Sequence, residues 1–398
     1  MSENKHTMSD LYSMQAAPLS VKIKMTARRI RDWVDEFGQD GVYVSFSGGK
    51  DSTVLVDIVR GVCGYKEIPL VFVDVPTQYP ELKEFALTFD NLVILKPKIS
   101  FAQVCEKYGF PMISKEVSNC VSGARKYVKY LDSQKSNNAI LTDRQTIPYA
   151  CYMADLLGID RRINKQNEQY KSLQMGVIPS GSEYRLRRLN GELTDSKGNY
   201  SQFNQEKYKF FLDAPFEISD MCCNVMKKKP AHEYEKETGR KPIIATMASE
   251  SVVRTQKWLQ NGCNAFNAKR PHSNPMSFWT EQDVLLYIKE NNLPICPVYG
   301  DIVTDDEESG QMTLADFCNM EEFELDRPYL HTTGCSRTGC VLCGFGCHIE
   351  KDGQGRFELL KKTHPKFHNL LYVLKNNGVT YAEAIDWINE HGNMNIKY

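Results

Sequence analysis

The sequence predicts an α/β protein: a doubly wound, mostly parallel sheet, interrupted by a helical and loop-rich insertion and followed by a helical C-terminal region. Three observations lead there. Short runs rich in β-branched residues alternate with helical patterns between Gly41 and Pro97. Those runs are apolar throughout instead of alternating, as strands covered on both faces are. The segments between them are long enough for crossover helices, which parallel strands require.

Taken in order, residues 1–20 are polar and are expected to form a flexible tail. From Val21 to Phe37 the apolar positions Val21, Ile23, Met25, Ile30, Trp33, Val34 and Phe37 suit an amphipathic helix, imperfectly at its start. "GVYVSFS" (Gly41 to Ser47) reads as a first buried strand. "STVLVDIVRGV" then carries apolar residues on most sides, as a helix packed on a sheet does. "IPLVFVDVP" (Ile68 to Pro76) is a second strand stopped by proline, and "NLVILKP" (Asn91 to Pro97) a third, after a helical "PELKEFALTF".

A first part of the core is thus expected over 21–113. Residues 114–211 change character. They are rich in Lys, Arg, Asn, Gln and Tyr, with "RRINKQNEQYK" and "EYRLRRLNGELTDSKGNYSQ", and read as a polar, basic insertion. Core patterning returns over 212–300, where "KPIIATM" is a strand and "WTEQDVLLYIKENN" a helix opened by a Thr280–Asp283 capping box. A cysteine-rich segment spans 301–350. Helices fill 351–398, the last opened by "TYAE" with the same cap pattern.

The bulk composition excludes some classes of function. The net charge over 398 residues is −1, so no global field recruits nucleic acid or an anionic membrane. No run approaches the roughly 18 apolar residues of a membrane span, and the N-terminus lacks a signal-peptide core. A cytoplasmic protein without membrane contact is expected. Thirteen cysteines in a reducing compartment point to metal or catalysis instead of disulfides.

The chemistry begins at "VSFSGGKDSTVLV". A strand turning through glycines into a helix N-terminus makes an anion site, because free N–H groups and the positive end of the helix dipole face the ligand. Gly48 and Gly49 allow close backbone approach, Lys50 adds charge, and Ser47 and Ser52 add hydroxyls. The Walker A pattern is not met, since Val44 stands at its first glycine and Asp51 after its lysine. An aspartate in a phosphate loop makes sense as a holder of Mg²⁺ or ribose.

"SGGKDS" after a strand resembles the PP-loop of the ATP pyrophosphatase superfamily, which binds ATP, adenylates a substrate oxygen and releases pyrophosphate. Further motifs resemble its phosphoadenosine phosphosulfate (PAPS) reductase branch, in family order. "VDVPTQYPELKEF" is similar to the second-strand motif, which puts Asp74 near adenosine or metal. "CCNVMKKKP" resembles the paired cysteines of iron–sulfur members. "ATMASESVVR" resembles the Ser-and-Arg motif, placing Ser251 and Arg254 near sulfate or phosphate. "PMSFWTEQDVLLYIKENNLPICPVYGD" and "SRTGCVLCGFGCH" resemble the Trp-Thr helix and the Cys-x-x-Cys that follow it. The resemblance covers about 20–350, loosely over 100–215, and implies the adenine nucleotide alpha hydrolase-like fold. Two departures matter. The full PP-loop survives here, whereas the reductases carry a degenerate one, and the C-terminal Glu-Cys-Gly-Leu-His nucleophile motif is missing from "DWINEHGNMNIKY".

Four cysteines crowd into Cys335–Cys347, and soft thiolates choose iron–sulfur clusters or zinc. The resemblance implies Cys222, Cys223, Cys340 and Cys343 around a 4Fe–4S cluster. Spacing alone leaves open a local set that uses Cys335 and Cys347 beside Cys340 and Cys343, as in PP-loop proteins of DNA phosphorothioation.

The expected activity is adenylation-dependent sulfur transfer. Ser47, Gly48, Gly49, Lys50, Asp51 and Ser52 would bind ATP with Mg²⁺, and Lys50, Asp51 and Arg254 would act on it. A sulfur or electron donor protein and a sulfur acceptor, for which a nucleic acid docked on the basic insertion is one candidate, are the implied partners. Two alternatives stay open: reduction of adenylyl sulfate or PAPS, and a non-catalytic nucleotide-binding iron–sulfur sensor.

Overall fold

A computed structural model describes residues 4–136, 180–304, 329–350, 353 and 355–398. The chain divides into two compact units. The first comprises Met1–Lys98 and Met226–Cys340, the second Ile99–Val225 and Val341–Tyr398. These divisions fall at 98, 225 and 340, away from the expected 113, 211, 300 and 350.

The first unit holds the central sheet. Its strands are β1 (Val42–Phe46), β2 (Leu70–Val73), β3 (Leu92–Leu95), β4 (Lys241–Ile244), β5 (Asn264–Ala265) and β6 (His272–Ser273). They lie in the order β3-β2-β1-β4-β6-β5. All pairings are parallel except β5 with β6, so the fold is α/β with a mostly parallel sheet. β1 sits in the middle, with Val44 opposite Leu70 on one side and Ile243 on the other. The chain lays β2 and β3 outward on one side of β1 and β4 on the other. The order therefore reverses between β1 and β4, the place where open α/β sheets bind ligands beyond their carboxyl ends.

The sequence explains why these residues take these forms. β1, "VYVSF", is β-branched and aromatic, and Val42 and Val44 are fully buried. Two helices precede it, α1 (Met8–Gln15) and α2 (Leu19–Phe37), and α3 (Lys50–Asp57) follows it. Ile30 and Trp33 of α2 are fully buried, with Trp279, Phe278 and Met276 in the same core. Each such side chain contributes roughly 1.5–3 kcal/mol of burial. Trp279 keeps its polar atom satisfied by donating from Nε1 to Thr26 Oγ1 at 2.8 Å.

The expected flexible tail is instead ordered from residue 4 onward. Thr7 and Asp10 form a capping box for α1, Leu11 is buried, and the His6 ring stacks on Trp258 at 4.7 Å. An apolar residue and a reciprocal cap inside a polar stretch are enough to dock it. Two further helices of this unit, α4 (Val252–Asn261) and α5 (Glu281–Glu290), begin at side-chain caps, Ser251 and Thr280.

The second unit contains helices Phe101–Tyr108, Lys115–Ser136, Ser180–Asn190 and Tyr381–Gly392. A short parallel pair joins Met112–Ile113 to Gly344–Phe345. Phe110, Phe211, Phe216, Phe357 and Tyr381 are its largest fully buried side chains. Thr380 and Glu383 cap the last helix as the sequence predicts. Part of the basic insertion is thus helical and belongs to this unit's core, while the tract "RRINKQNEQYK" lies outside the described residues. No described helix is long and apolar enough to cross a membrane.

Candidate nucleotide site and cysteine groups

The loop after β1 is built as the sequence implies. Gly48 has φ +73°, and a Cβ there would stand 2.8 Å from the Leu82 carbonyl oxygen, so only glycine fits. Gly49, extended, caps α3 without a side chain, and the helix starts at Lys50. The serines hold the turn shut. Ser47 N–H donates to Ser52 Oγ at 3.2 Å, and Ser52 Oγ donates to the Gly49 carbonyl at 2.9 Å. Thr53 Oγ1 donates to that same carbonyl at 3.1 Å.

Lys50 is buried at 4% exposure, which for an ammonium demands partners. Its Nζ donates to the Ser336 carbonyl at 2.9 Å and pairs with Glu281 at 3.0 Å. Asp51 Oδ1 lies 3.9 Å from the same Nζ, buried and without a hydrogen-bond donor. Burial, followed by the nearby Glu281 carboxylate, pushes the Asp51 carboxyl up from its ordinary value, against the pull of Lys50. A carboxylate oxygen of this kind suits a divalent cation.

A cavity of about 440 Å³ opens beside these residues. Lys50 and Asp51 line it from the end of β1, Ser249 and Glu250 from the end of β4, and Glu281 and Arg337 from elsewhere. It therefore sits at the carboxyl ends of the two strands where the sheet order reverses. Glu250 is gripped by two guanidiniums: Arg254 pairs with it one helical turn away, and Arg337 Nη2 reaches Oε1 at 3.1 Å.

The structure brings Ser47, Gly48, Gly49, Lys50, Asp51, Ser52 and Arg254 to one neighbourhood. Ser251 serves chiefly as the cap of α4, accepting from Arg254 N–H at 3.3 Å. Asp74 stands at the end of β2 and pairs with Lys83 at 2.8 Å, and it does not line the cavity. Sequence reading missed Glu250, Glu281, Tyr299 and Arg337. Glu281 carried one signal, its place in the first turn of the capped helix α5.

The cysteines separate. Cys335 and Cys340 belong to the first unit, where Cys335 Sγ donates to the Tyr79 hydroxyl at 3.5 Å. Cys222, Cys223, Cys343 and Cys347 belong to the second. There the buried Tyr381 hydroxyl, donating to the Leu342 carbonyl at 3.0 Å, has Cys347, Cys343, Cys105 and Cys222 as its electrostatic neighbours. Arg356 Nη1 braces the same loop through the Cys343 carbonyl at 2.8 Å. Cys222 and Cys223 end a helical turn that runs straight into a π-helical stretch, Asn224–Lys228, a form that recurs at functional positions. Among the described residues no three metal-binding side chains converge on a single-ion site.

Comparison with known proteins finds a matching family model and similar solved structures. The family model described as the phosphoadenosine phosphosulfate reductase domain matches residues 41–141 and 182–344, well over half of the chain. Among solved structures, phosphoadenylyl-sulfate (PAPS) reductase from Candida auris, in a phosphate complex, aligns with 13% identity and a TM-score of 0.32, over 74% of this chain and 92% of that one. No curated protein matches this chain.

Proposed function

This chain belongs to the phosphoadenosine phosphosulfate reductase domain family, and from that membership we propose that it is an enzyme binding ATP on Ser47–Ser52 for adenylation-dependent sulfur transfer. The observation that carries the reading is the complete Ser-Gly-Gly-Lys-Asp-Ser turn, closing the central parallel strand into a helix N-terminus beside a cavity at the sheet's reversal point. A loop that only received an already activated sulfate would not need that full set.

In this reading the backbone N–H groups of the turn and Lys50 bind the phosphates. An acceptor oxygen attacks the α-phosphorus, the bond to the bridging oxygen breaks, and pyrophosphate leaves. Lys50 stabilises the charge that develops on the phosphates. Arg254, freed from Glu250, faces the anion that forms. Asp51 would hold Mg²⁺, which neutralises the departing pyrophosphate when bound. A sulfur nucleophile from a donor protein then displaces AMP from the acceptor, for which a nucleic acid is one candidate. Of the cysteines that the resemblance implies, Cys222, Cys223 and Cys343 lie in one unit and would contribute ligands to a 4Fe–4S cluster, which supplies sulfur-handling chemistry when bound.

Calorimetry on anaerobically purified protein tests the reading. ATP with Mg²⁺ should bind best, and Lys50→Ala should lower turnover, read as pyrophosphate release, far more than binding. A tenfold preference for adenylyl sulfate or PAPS, about 1.4 kcal/mol, would turn the assignment to reduction. Tight ATP binding without pyrophosphate release, whatever acceptor is offered, would leave a nucleotide sensor.

A further inference from the structure

The phosphate loop is already occupied, by the protein itself. Tyr299 places its hydroxyl on the backbone N–H of Lys50, accepting from it at 3.1 Å. Thr338 Oγ1 hydrogen-bonds that hydroxyl at 2.7 Å. A Cβ built on Gly49 would stand 3.1 Å from both hydroxyls, so they cover the open face of the glycine turn. Ser336, between them in the chain, takes the Lys50 ammonium on its carbonyl at 2.9 Å. A phosphate oxygen could not reach the Lys50 N–H without displacing the Tyr299 hydroxyl, and at the Nζ it would compete with the Ser336 carbonyl and Glu281.

The covering piece has its own internal bonding. Thr333 N–H donates to the Asp301 carbonyl at 2.9 Å, Gly334 N–H to Tyr299 at 2.9 Å, and Cys335 N–H to Val298 at 2.8 Å. Thr332 Oγ1 adds a bond to the Cys335 carbonyl at 3.1 Å. Val298–Asp301 and Thr332–Cys335 are thus zipped together. The Tyr299 hydroxyl and the Ser336–Thr338 segment project from that zipper onto the loop.

We propose that Tyr299, Ser336 and Thr338 form a strap that closes over the phosphate loop and yields to the nucleotide's phosphates. It rests on the reading of Ser47–Ser52 as a nucleotide site. The strap mimics the ligand: a hydroxyl oxygen stands where a phosphate oxygen would accept from Lys50 N–H, and a carbonyl oxygen where another would meet the ammonium. Only a ligand that offers both acceptors at once repays the loss of these contacts, so the strap discriminates against single small anions. Gly339 alone separates Thr338 from Cys340, so release of the strap also frees the chain leading into the cysteine segment.

The test is calorimetric titration of full-length Tyr299→Phe and Thr338→Ala proteins with ATP and Mg²⁺, beside the wild type. Removing one strap hydrogen bond should tighten ATP binding by about three- to tenfold, the fold-change one net hydrogen bond carries. In the wild type, hydrogen exchange should quicken over peptides 296–304 and 332–340 when ATP is added. Wild-type binding with unchanged or weaker binding in the variants overturns the strap and leaves the nucleotide site standing, as does added protection over those peptides. If neither wild type nor variants bind any adenine nucleotide, the nucleotide reading and the strap fall together.

Discussion

Gly48 concentrates the geometry of the loop in one residue. Its positive φ and the 2.8 Å approach to the Leu82 carbonyl leave no conformation for a side chain. Gly48→Ala should cost about 1–2 kcal/mol for the left-handed backbone alone, visible as a melting temperature lower by a few degrees, and nucleotide binding should weaken with it. An unchanged melting curve and affinity would show that the turn tolerates a Cβ. Gly48, Lys50 and Asp51 were legible in the sequence because their roles are local: strand, turn and helix start lie within one stretch. Glu250, Glu281, Tyr299 and Arg337 were not. Each reaches the loop from a distant part of the chain, and an isolated acidic, aromatic or basic residue gives no periodic signal of its destination.

Among elements, α2 shows how a local pattern can be read correctly and still mislead. Its apolar stripe is imperfect at the start because Val21 is exposed and Lys22, at 2% exposure, is buried. The reason lies on α5. Both oxygens of Asp283 accept from Lys22 Nζ at 2.7 Å, while the same carboxylate closes the capping box with Thr280. The cap was visible in the sequence, but its second task was not. Asp283→Asn leaves the buried ammonium without a countercharge and should destabilise the first unit by about 3–5 kcal/mol. Denaturant unfolding measures this, and a loss below about 1 kcal/mol, the value of an exposed pair, would mean that water reaches Lys22.

At the scale of the whole molecule, the thiols report on folding and on metal together. Burial raises Cys105, to about 12, and Cys263 above its ordinary value. Both should alkylate more slowly than the half-buried Cys335 and Cys340 at pH 8, by about tenfold or more, with peptide mass spectrometry as the readout. Iron–sulfur reconstitution should then protect Cys222, Cys223 and Cys343, and equal labelling before and after would remove them as ligands. The parallel sheet was legible from strand patterning. That residues 341–398 join the insertion's unit was not, because helix caps reveal where a helix starts and nothing about its partner. The order of the sheet also bears on how the protein is made. β1 emerges early from the ribosome, yet its neighbour β4 pairs Val42 with Lys241, so at ordinary elongation rates one edge of the central strand waits on the order of ten seconds or more. During that interval "VYVSF" is an unpaired, β-branched edge of the kind that seeks other chains. The newborn protein should therefore be a chaperone client, and its soluble yield should rise when chaperones are co-expressed with it.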